Sequence, residues 1–543
     1  MSDSGSDTVG RIAHRIVVFT GDPSFSVRKG IVEIDRRIPG LQWLVVRHAP
    51  QKTARQLIRN QVRNLRKNGW RWVPYQLAEL RASIFRTSGS QKESSAAESP
   101  GIGYSMESIL AKRNVQYYQT PDLHSESTTT KVKDFSPDLG LSIASPILKP
   151  ALFEICRLGT INLHKGKVPS YRGMPPAFWE LWNDEVEIGC TVHQVIAGLD
   201  KGDVIAETTV PKQTFSTVKG LQLVLDEVGV NLMCDAVESI LNGTARPRPQ
   251  PVGGKTYTKP TLGEVAELRR RQSWALPVGQ SVTRRMAKSI YLRALLHGAR
   301  TRSFVTREAP TVTVILYHRV TDELRDSLTV GIEQFERQMA ILSKYCMPVS
   351  IEQVLSGRFR RRPRRPIVCV TFDDGYADNF TSAVPILLRH RIPAAFFVST
   401  GLIGTDRSFP HDVGKVPASL RNMSWQDLRS MKRDGFTVGS HTVGHIDCAK
   451  ETREAVEREL RDSLATLRTN LGTENVILAY PYGGRENMTA ERLELVRACG
   501  YIGCLSAYGG FNKGTVDPYN VLRCGINWTF SDLAFRSRIA GLH

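Results

Sequence analysis

The sequence predicts an α/β protein of two domains, a Rossmann-like parallel-sheet domain followed by a β/α barrel. Three observations carry that prediction. At 543 residues the chain exceeds what one core organises, since about 100–200 residues per domain is usual. Its composition, 41% hydrophobic and 23% charged, is that of a globular protein and argues against a disordered or membrane-spanning one. Short apolar strand patterns alternate with helical patterns in both halves, the order that builds parallel sheets.

In the first half, HRIVVFTGD from His14, LQWLVVRHA from Leu41 and VQYYQT from Val115 read as strands, and DLGLSIAS from Asp138 as a further one. Residues 86–101, RTSGSQKESSAAESPG, have no hydrophobic period and read as a mobile loop. The Pro-rich run TARPRPQPVGGKTYTKPT closes the first domain at residue 261. Residues 262–310 form a basic connector, in which Met286, Ile290 and Ala294 recur at four-residue intervals among arginines. That spacing suits a helix packed on its own domains, or one lying on an anionic membrane surface. From residue 311 to 543 strands recur in TVTVILYHRV, IVCVTF, AAFFVST, FTVGS, VILAYP and YIGCLSA, separated by helical stretches such as TREAVERELRDSLATLRTNL.

The N-terminus is polar and lacks the basic start and apolar stretch of a secretory signal. No segment has the ~20 apolar residues needed to cross a bilayer, so a cytoplasmic protein is expected, with the connector as its means of peripheral contact at the inner membrane surface. Nine cysteines without a C-x-x-C pair read as buried thiols. Much of the net charge of +20 lies between Arg269 and Arg307 and in GRFRRRPRRP, residues 357–366, which makes it a property of connector and loop. Nucleic acid is therefore not the expected partner.

The run IVCVTFDDGYADNF ends a strand on two adjacent carboxylates, Asp373 and Asp374. Burial of neighbouring like charges raises both pKa values, and a metal ion is the common remedy. GSHTVGHID supplies His441 and His445 four residues apart, and two His with a carboxylate suit Zn²⁺ or a related divalent ion while leaving positions open. LAYPYGG, residues 478–484, closes a strand with turn chemistry that brings backbone N–H groups to a pocket rim. T-F-D-D-G, H-[ST]-x-x-H and a third motif ending P-Y-G, in this order, resemble the NodB-type polysaccharide deacetylases, also called carbohydrate esterase family 4. The resemblance spans roughly residues 311–530 and implies a deformed β/α barrel. It also implies that Asp374, His441 and His445 hold the metal, that Asp373 is the general base, and that backbone N–H near Tyr482 stabilises the oxyanion. The third motif has Ala479 and Tyr480 where many members carry an arginine, and no late L-x-H supplies a general-acid histidine. His318 in ILYHRV is a further site candidate.

In the first half, GTINLHKGKVPSYRGMPPAFW places Asn162 and His164 on one face of an extended segment. CTVHQVIAGLDKGDVIAE then puts Asp200 in a Gly-flanked turn. An amide, an imidazole and a carboxylate suit acyl transfer. N-x-H, P-x-Y-R-G and G-L-D-x-G-D in order resemble the formyltransferases that use 10-formyltetrahydrofolate, the group of methionyl-tRNA and sugar-amine formyltransferases. The resemblance implies Asn162, His164 and Asp200 as the catalytic group, folate bound nearby, and His193 as a supporting residue. The usual S-L-L-P loop reads Lys165, Gly166, Lys167, Val168 and Pro169.

One half implies hydrolysis of an N-acyl bond and the other formation of an N-formyl bond. An amino sugar, nucleotide- or lipid-linked, serves both. Deacetylation followed by formylation, or formylation followed by deformylation, each fits. Methionyl-tRNA formylation and a binding module in place of one enzyme are the other readings.

Overall fold

This computed structural model describes residues 14–21, 24–50, 59, 62, 109–110, 115–214, 216–272, 311–357, 365–414, 416–417 and 420–541. The expected loop at 86–101, the spacing through Met286, Ile290 and Ala294, and most of the arginine run at 357–366 lie outside them. The chain divides into two compact units, the first taken mainly from residues up to Arg271 and the second mainly from Gln272 onward.

The first unit is organised by β1 (Arg15–Thr20), β2 (Gln42–His48), β3 (Val115–Thr120), β4 (Leu139–Ser142), β5 (Thr160–His164), β6 (Arg172–Gly173), β7 (Glu187–Gln194), β8 (Val204–Pro211) and β9 (Thr256–Tyr257). Seven strands form one sheet in the order β3-β2-β1-β4-β5-β7-β8, and β6 pairs with β9. The first five are mutually parallel, as expected, and β7 and β8 add on antiparallel. Central β1 is a β-branched run covered on both faces, whereas edge strand β3 leaves much of VQYYQT exposed. The helix Phe25–Arg37 meets the helix Val218–Leu241 through the ion pairs Lys29–Glu227 and Arg37–Asp235.

The second unit contains β10 (Thr311–Tyr317), β11 (Arg319–Val320), β12 (Thr329–Val330), β13 (Met347–Pro348), β14 (Ile367–Phe372), β15 (Ala394–Val398), β16 (Thr437–Ser440), β17 (Leu478–Ala479), β18 (Cys504–Leu505), β19 (Asn512–Lys513) and β20 (Arg523–Gly525). The run β18-β17-β16-β15-β14-β10 is parallel, and β20 joins β10 in parallel. A parallel bridge joins Leu505 of β18 to Val521, two residues before β20, and so brings the edges of the sheet together. The result is a barrel closed by its shortest strands, hence deformed. Alternate residues of successive strands, among them Val312, Val314, Ile367, Cys369, Ala395, Phe397 and Ala479, form one buried cluster. The helix Arg453–Leu471 starts on Thr452, whose side chain accepts from Ala455 N, and ends on Gly472 at φ 58°.

VILAYP and YIGCLSA contribute only two-residue strands, because Pro481 and the glycines around them end the ladders early. All nine cysteines are buried and unpaired. Among the described residues no helix is long and apolar enough to cross a membrane.

Candidate active sites

The metal-type cluster sits where the barrel strands end. Asp373 and Asp374 follow β14, His318 follows β10, His441 follows β16, and Tyr482 lies three residues beyond β17. Backbone bonds from Asp373 N to Tyr317 O, Ser399 N to Asp374 O and His441 N to Val398 O stitch these strand ends together. Gly375, the last residue of T-F-D-D-G, has φ 103°, where a side chain is strained, and a Cβ there would stand 2.9 Å from Ile403 Cδ1.

Asp374, His441 and His445 are all buried, with their candidate ligand atoms within 4.8 Å of one another. Nε2 of His445 and of His441 lie 3.2 and 3.4 Å from Asp374 Oδ1. His441 donates from Nδ1 to the Ala479 carbonyl at 2.7 Å, which turns Nε2 into the site. Neither Asp374 oxygen has a hydrogen-bond partner among the described residues, nor does His445 Nδ1. A buried carboxylate left that way is costly, and a divalent cation is the group that satisfies it. The donor set fits such an ion. Burial alone would raise the Asp374 carboxyl, but the neighbouring imidazoles of His441 and His445 hold it well below the ordinary range. Burial opposes the imidazolium of His441, and Asp373 and Asp374 outweigh it, so its pKa lies above the usual value.

Asp373 has a different environment. Arg523 Nη1 and Nη2 each donate to it at 2.7 Å, a bidentate pair with Arg523 at 0% and Asp373 at 2% exposure. Burial pushes this carboxyl up, and Arg523 followed by His441 brings it below the ordinary value. Arg523 comes from β20, 150 residues beyond its partner in the chain. The sequence offered one signal for it, a lone arginine inside the apolar run VLRCGI. The half-buried His318 follows β10 at the same strand ends, and burial pushes its imidazole down against the pull of Asp374 and Asp373. Tyr482 is 50% exposed with φ 59°, and its ring centroid lies 5.0 Å from that of His445. His411 was not anticipated: its Nε2 is 3.7 Å from Asp374 Oδ2, and no spacing rule connects SFPHDVG to the other motifs.

In the first unit, Asn162 and His164 share one face of β5, and antiparallel β7 sets His193 opposite Asn162. Asn162 Nδ2 is 3.1 Å from His193 Nε2 and 3.5 Å from Asp200 Oδ1. His193 Nδ1 donates to the Gln194 carbonyl at 2.8 Å, so its Nε2 accepts from the amide. His164 donates from Nε2 to the Tyr171 carbonyl at 2.6 Å, and its Nδ1 faces Asp200 Oδ2 at 3.5 Å. Burial lowers the His164 pKa, and Asp200 partly restores it. Burial pushes Asp200 up, while His193 and His164 hold it below the ordinary value.

The Y-R-G of the loop builds the platform for Asp200. Gly173, at φ 88°, donates its N–H to Asp200 Oδ2 at 3.0 Å, and a Cβ there would fall 2.2 Å from Tyr257 O. Arg172 Nε and Gln250 Nε2 both donate to the Asp200 carbonyl, at 3.2 and 2.9 Å. Gln250 was not anticipated, for it stands alone in a proline run. Lys165, in the departed S-L-L-P position, pairs with Asp226, and Lys167 pairs with Glu187 at 3.2 Å.

Residues 61–237 match the formyl transferase family model, and residues 360–502 match the polysaccharide deacetylase family model. The methionyl-tRNA formyltransferase of Macrococcus caseolyticus is 34% identical over 144 residues, 26% of this chain and 46% of that protein. The enzyme of the same name from Pseudoalteromonas translucida is 23% identical over 207 residues, 38% of this chain and 61% of that protein. The chain therefore spans about half the length of the curated relatives it matches. A Streptococcus pyogenes deacetylase in complex with acetate aligns over 42% of this chain and 99% of its own at 19% identity and a TM-score of 0.36. A sugar N-formyltransferase from a Shewanella species aligns over 47% and 87% at 13% identity and a TM-score of 0.31. The chain thus joins a segment of the formyl transferase family to a segment of the polysaccharide deacetylase family.

Proposed function

We propose that the protein is a bifunctional carbohydrate-modifying enzyme. Its second unit hydrolyses the N-acetyl amide of an amino sugar, and its first transfers a formyl group from 10-formyltetrahydrofolate to a sugar amine. The observation that carries this reading is the pairing, in one chain, of a buried Asp374–His441–His445 cluster beside an arginine-clamped Asp373 with an Asn162–His164–Asp200 group.

In the hydrolase, Asp374, His441 and His445 would hold a divalent ion, which when bound would polarise an acyl oxygen and make a water more acidic. Asp373, kept ionised by Arg523, takes the proton of the attacking water. The backbone N–H of Tyr482 stabilises the oxyanion, and His318, at the end of β10, returns a proton to the leaving amine. In the transferase, the acceptor amine attacks the formyl carbon. Neutral His164 takes the amine proton at Nδ1, where Asp200 stabilises the imidazolium. The longer contact of Asn162, 3.5 Å to Asp200, is the one an oxyanion replaces.

The test is mass spectrometry of N-acetylated and free-amine sugar nucleotides incubated with the protein, Zn²⁺ and 10-formyltetrahydrofolate. Acetyl replaced by formyl is the expected result. Loss of formyl from an N-formyl sugar would reassign the second unit as a deformylase. Because the curated relatives are methionyl-tRNA formyltransferases by name, charged initiator tRNA is the second acceptor; formylation of it that falls steeply with salt, and none of the sugar, would overturn the reading.

A further inference from the structure

The Asp374 carboxylate has two buried oxygens and two different surroundings. Oδ1 faces His441 and His445, the other members of the cluster. Oδ2 faces His411 Nε2 at 3.7 Å. His411 belongs to the Phe409–Asp412 segment beyond β15, and its ring centroid is 5.0 Å from that of His445. Phe409 covers His445 from 5.6 Å.

The neighbours of His411 fix which of its nitrogens is protonated. The Tyr376 hydroxyl lies 2.5 Å from Asp412 Oδ2 and donates its proton there, since a carboxylate can only accept. Arg319 Nη1 donates to the same hydroxyl oxygen at 3.2 Å and to both Asp412 oxygens at 2.8 Å. With its own proton committed, the Tyr376 oxygen accepts from His411 Nε2 at 3.0 Å. Nε2 therefore carries hydrogen; its one N–H goes to Tyr376, and the nitrogen stands 3.7 Å from Asp374 Oδ2 and 3.6 Å from Asp412 Oδ1, beyond hydrogen-bond distance. The assembly is rigid: Arg319, Tyr376 and Asp412 are 1, 2 and 3% exposed, and Arg319 Nη2 is held by Asp326 at 2.7 Å. A buried Arg–Tyr–Asp network is an expensive way to fill space, and this one fixes an imidazole edge 3.7 Å from the unmet oxygen of the cluster.

We propose that His411 is a positioning residue of the metal centre: its imidazole, anchored by Tyr376 with its Nε2 edge 3.7 Å from Asp374 Oδ2, attracts that oxygen electrostatically, keeps Oδ1 turned toward His441 and His445, and so tightens binding of a divalent ion. The proposal rests on the metal reading of that cluster. Outer partners of ligating carboxylates typically alter metal affinity by about 10–100-fold.

The experiment is Zn²⁺ affinity of the full chain, measured by competition with a chromophoric chelator, for wild type, His411→Ala, His411→Gln and Asp374→Asn. Thermal melting of the metal-free proteins is the control for folding. Asp374→Asn should lose binding. His411→Ala should bind Zn²⁺ about 10–100-fold more weakly at an unchanged metal-free Tm, with His411→Gln, which retains an N–H donor, recovering part of the loss. Wild-type affinity in both His411 variants overturns the positioning role. A wild type that binds no Zn²⁺ overturns the metal reading, and this inference with it.

Discussion

Replacement of Arg523 by methionine tests how the barrel keeps Asp373 charged. The guanidinium gives two 2.7 Å bonds to the carboxylate, and its Nε donates to Ser506 O at 2.6 Å. With both partners almost fully buried, removing Arg523 takes away the carboxylate's main counter-charge and both of its 2.7 Å bonds, at a cost of about 3–5 kcal/mol. In a domain of this size each kcal/mol moves Tm by about 2–4 °C, so the second unit should melt roughly 6–20 °C lower. Replacing both partners, in Asp373→Asn with Arg523→Met, removes the stranded charge and should recover most of that loss. A double-mutant cycle by scanning calorimetry reads the coupling directly.

The pH dependence has a definite sign. In the wild type the Asp373 pKa is held below its ordinary value, so its contribution to stability is present above the ordinary carboxylate range. That contribution is lost as pH falls through the lowered value. Without Arg523 burial prevails, the pKa rises, and the variant loses stability as pH increases through the raised value. Its hydrolytic rate should fall toward that of Asp373→Asn, with the acid limb of the pH profile moved to higher pH. An Arg523→Met protein that melts within about 2 °C of wild type, or a double variant no more stable than the single one, refutes the account of the clamp.

Two further outcomes are expected. His164→Ala should lower formyl transfer by about 10²–10⁴-fold, and Asp200→Asn, which keeps the shape and removes the charge, should lower it through kcat rather than KM; a wild-type kcat in either excludes the proposed proton transfer. Glu180 is 3% exposed and burial pushes its carboxyl up to about 7. A raised carboxyl stabilises the fold while protonated, so stability of the first unit should be full below the ordinary glutamate pKa and decline up to about pH 7. Glu180→Gln should flatten the Tm profile over that window, and an identical slope in variant and wild type would count against it.

Strand identity was legible wherever a β-branched run is buried on both faces. IVVF, WLVV, IVCVTF and AAFFV all lie in central strands, and their period and length leave little choice. The antiparallel turn of β7 and β8 was not legible, because alternation in CTVHQVIAG is the same whichever way the neighbour runs. The site divides in the same way. Asn162 with His164, Asp373 with Asp374 and His441 with His445 are close in sequence, so local spacing brings each pair together. Arg523, His411 and Gln250 reach the sites only through barrel closure or loop folding, and sequence distance hides them.

Backbone conformation adds a feature common to both sites that no residue pattern displays. Asp200, Asp374, His445 and Tyr482 all have φ between 51° and 77°, as does Thr442, although none is glycine. Each such residue costs of order 1–3 kcal/mol and persists only where its surroundings fix it. At Asp200 the fixing groups are Gly173, Arg172 and Gln250; at Asp374 they include the Ser399 N–H bond to its carbonyl. The strain serves a geometric end. A strand that simply continued past Phe372 would send Asp373 and Asp374 to opposite faces of the sheet. The left-handed turn at Asp374 instead lets Asp373 meet Arg523 while Asp374 meets His441 and His445, so two adjacent carboxylates gain separate counter-charges around one barrel mouth.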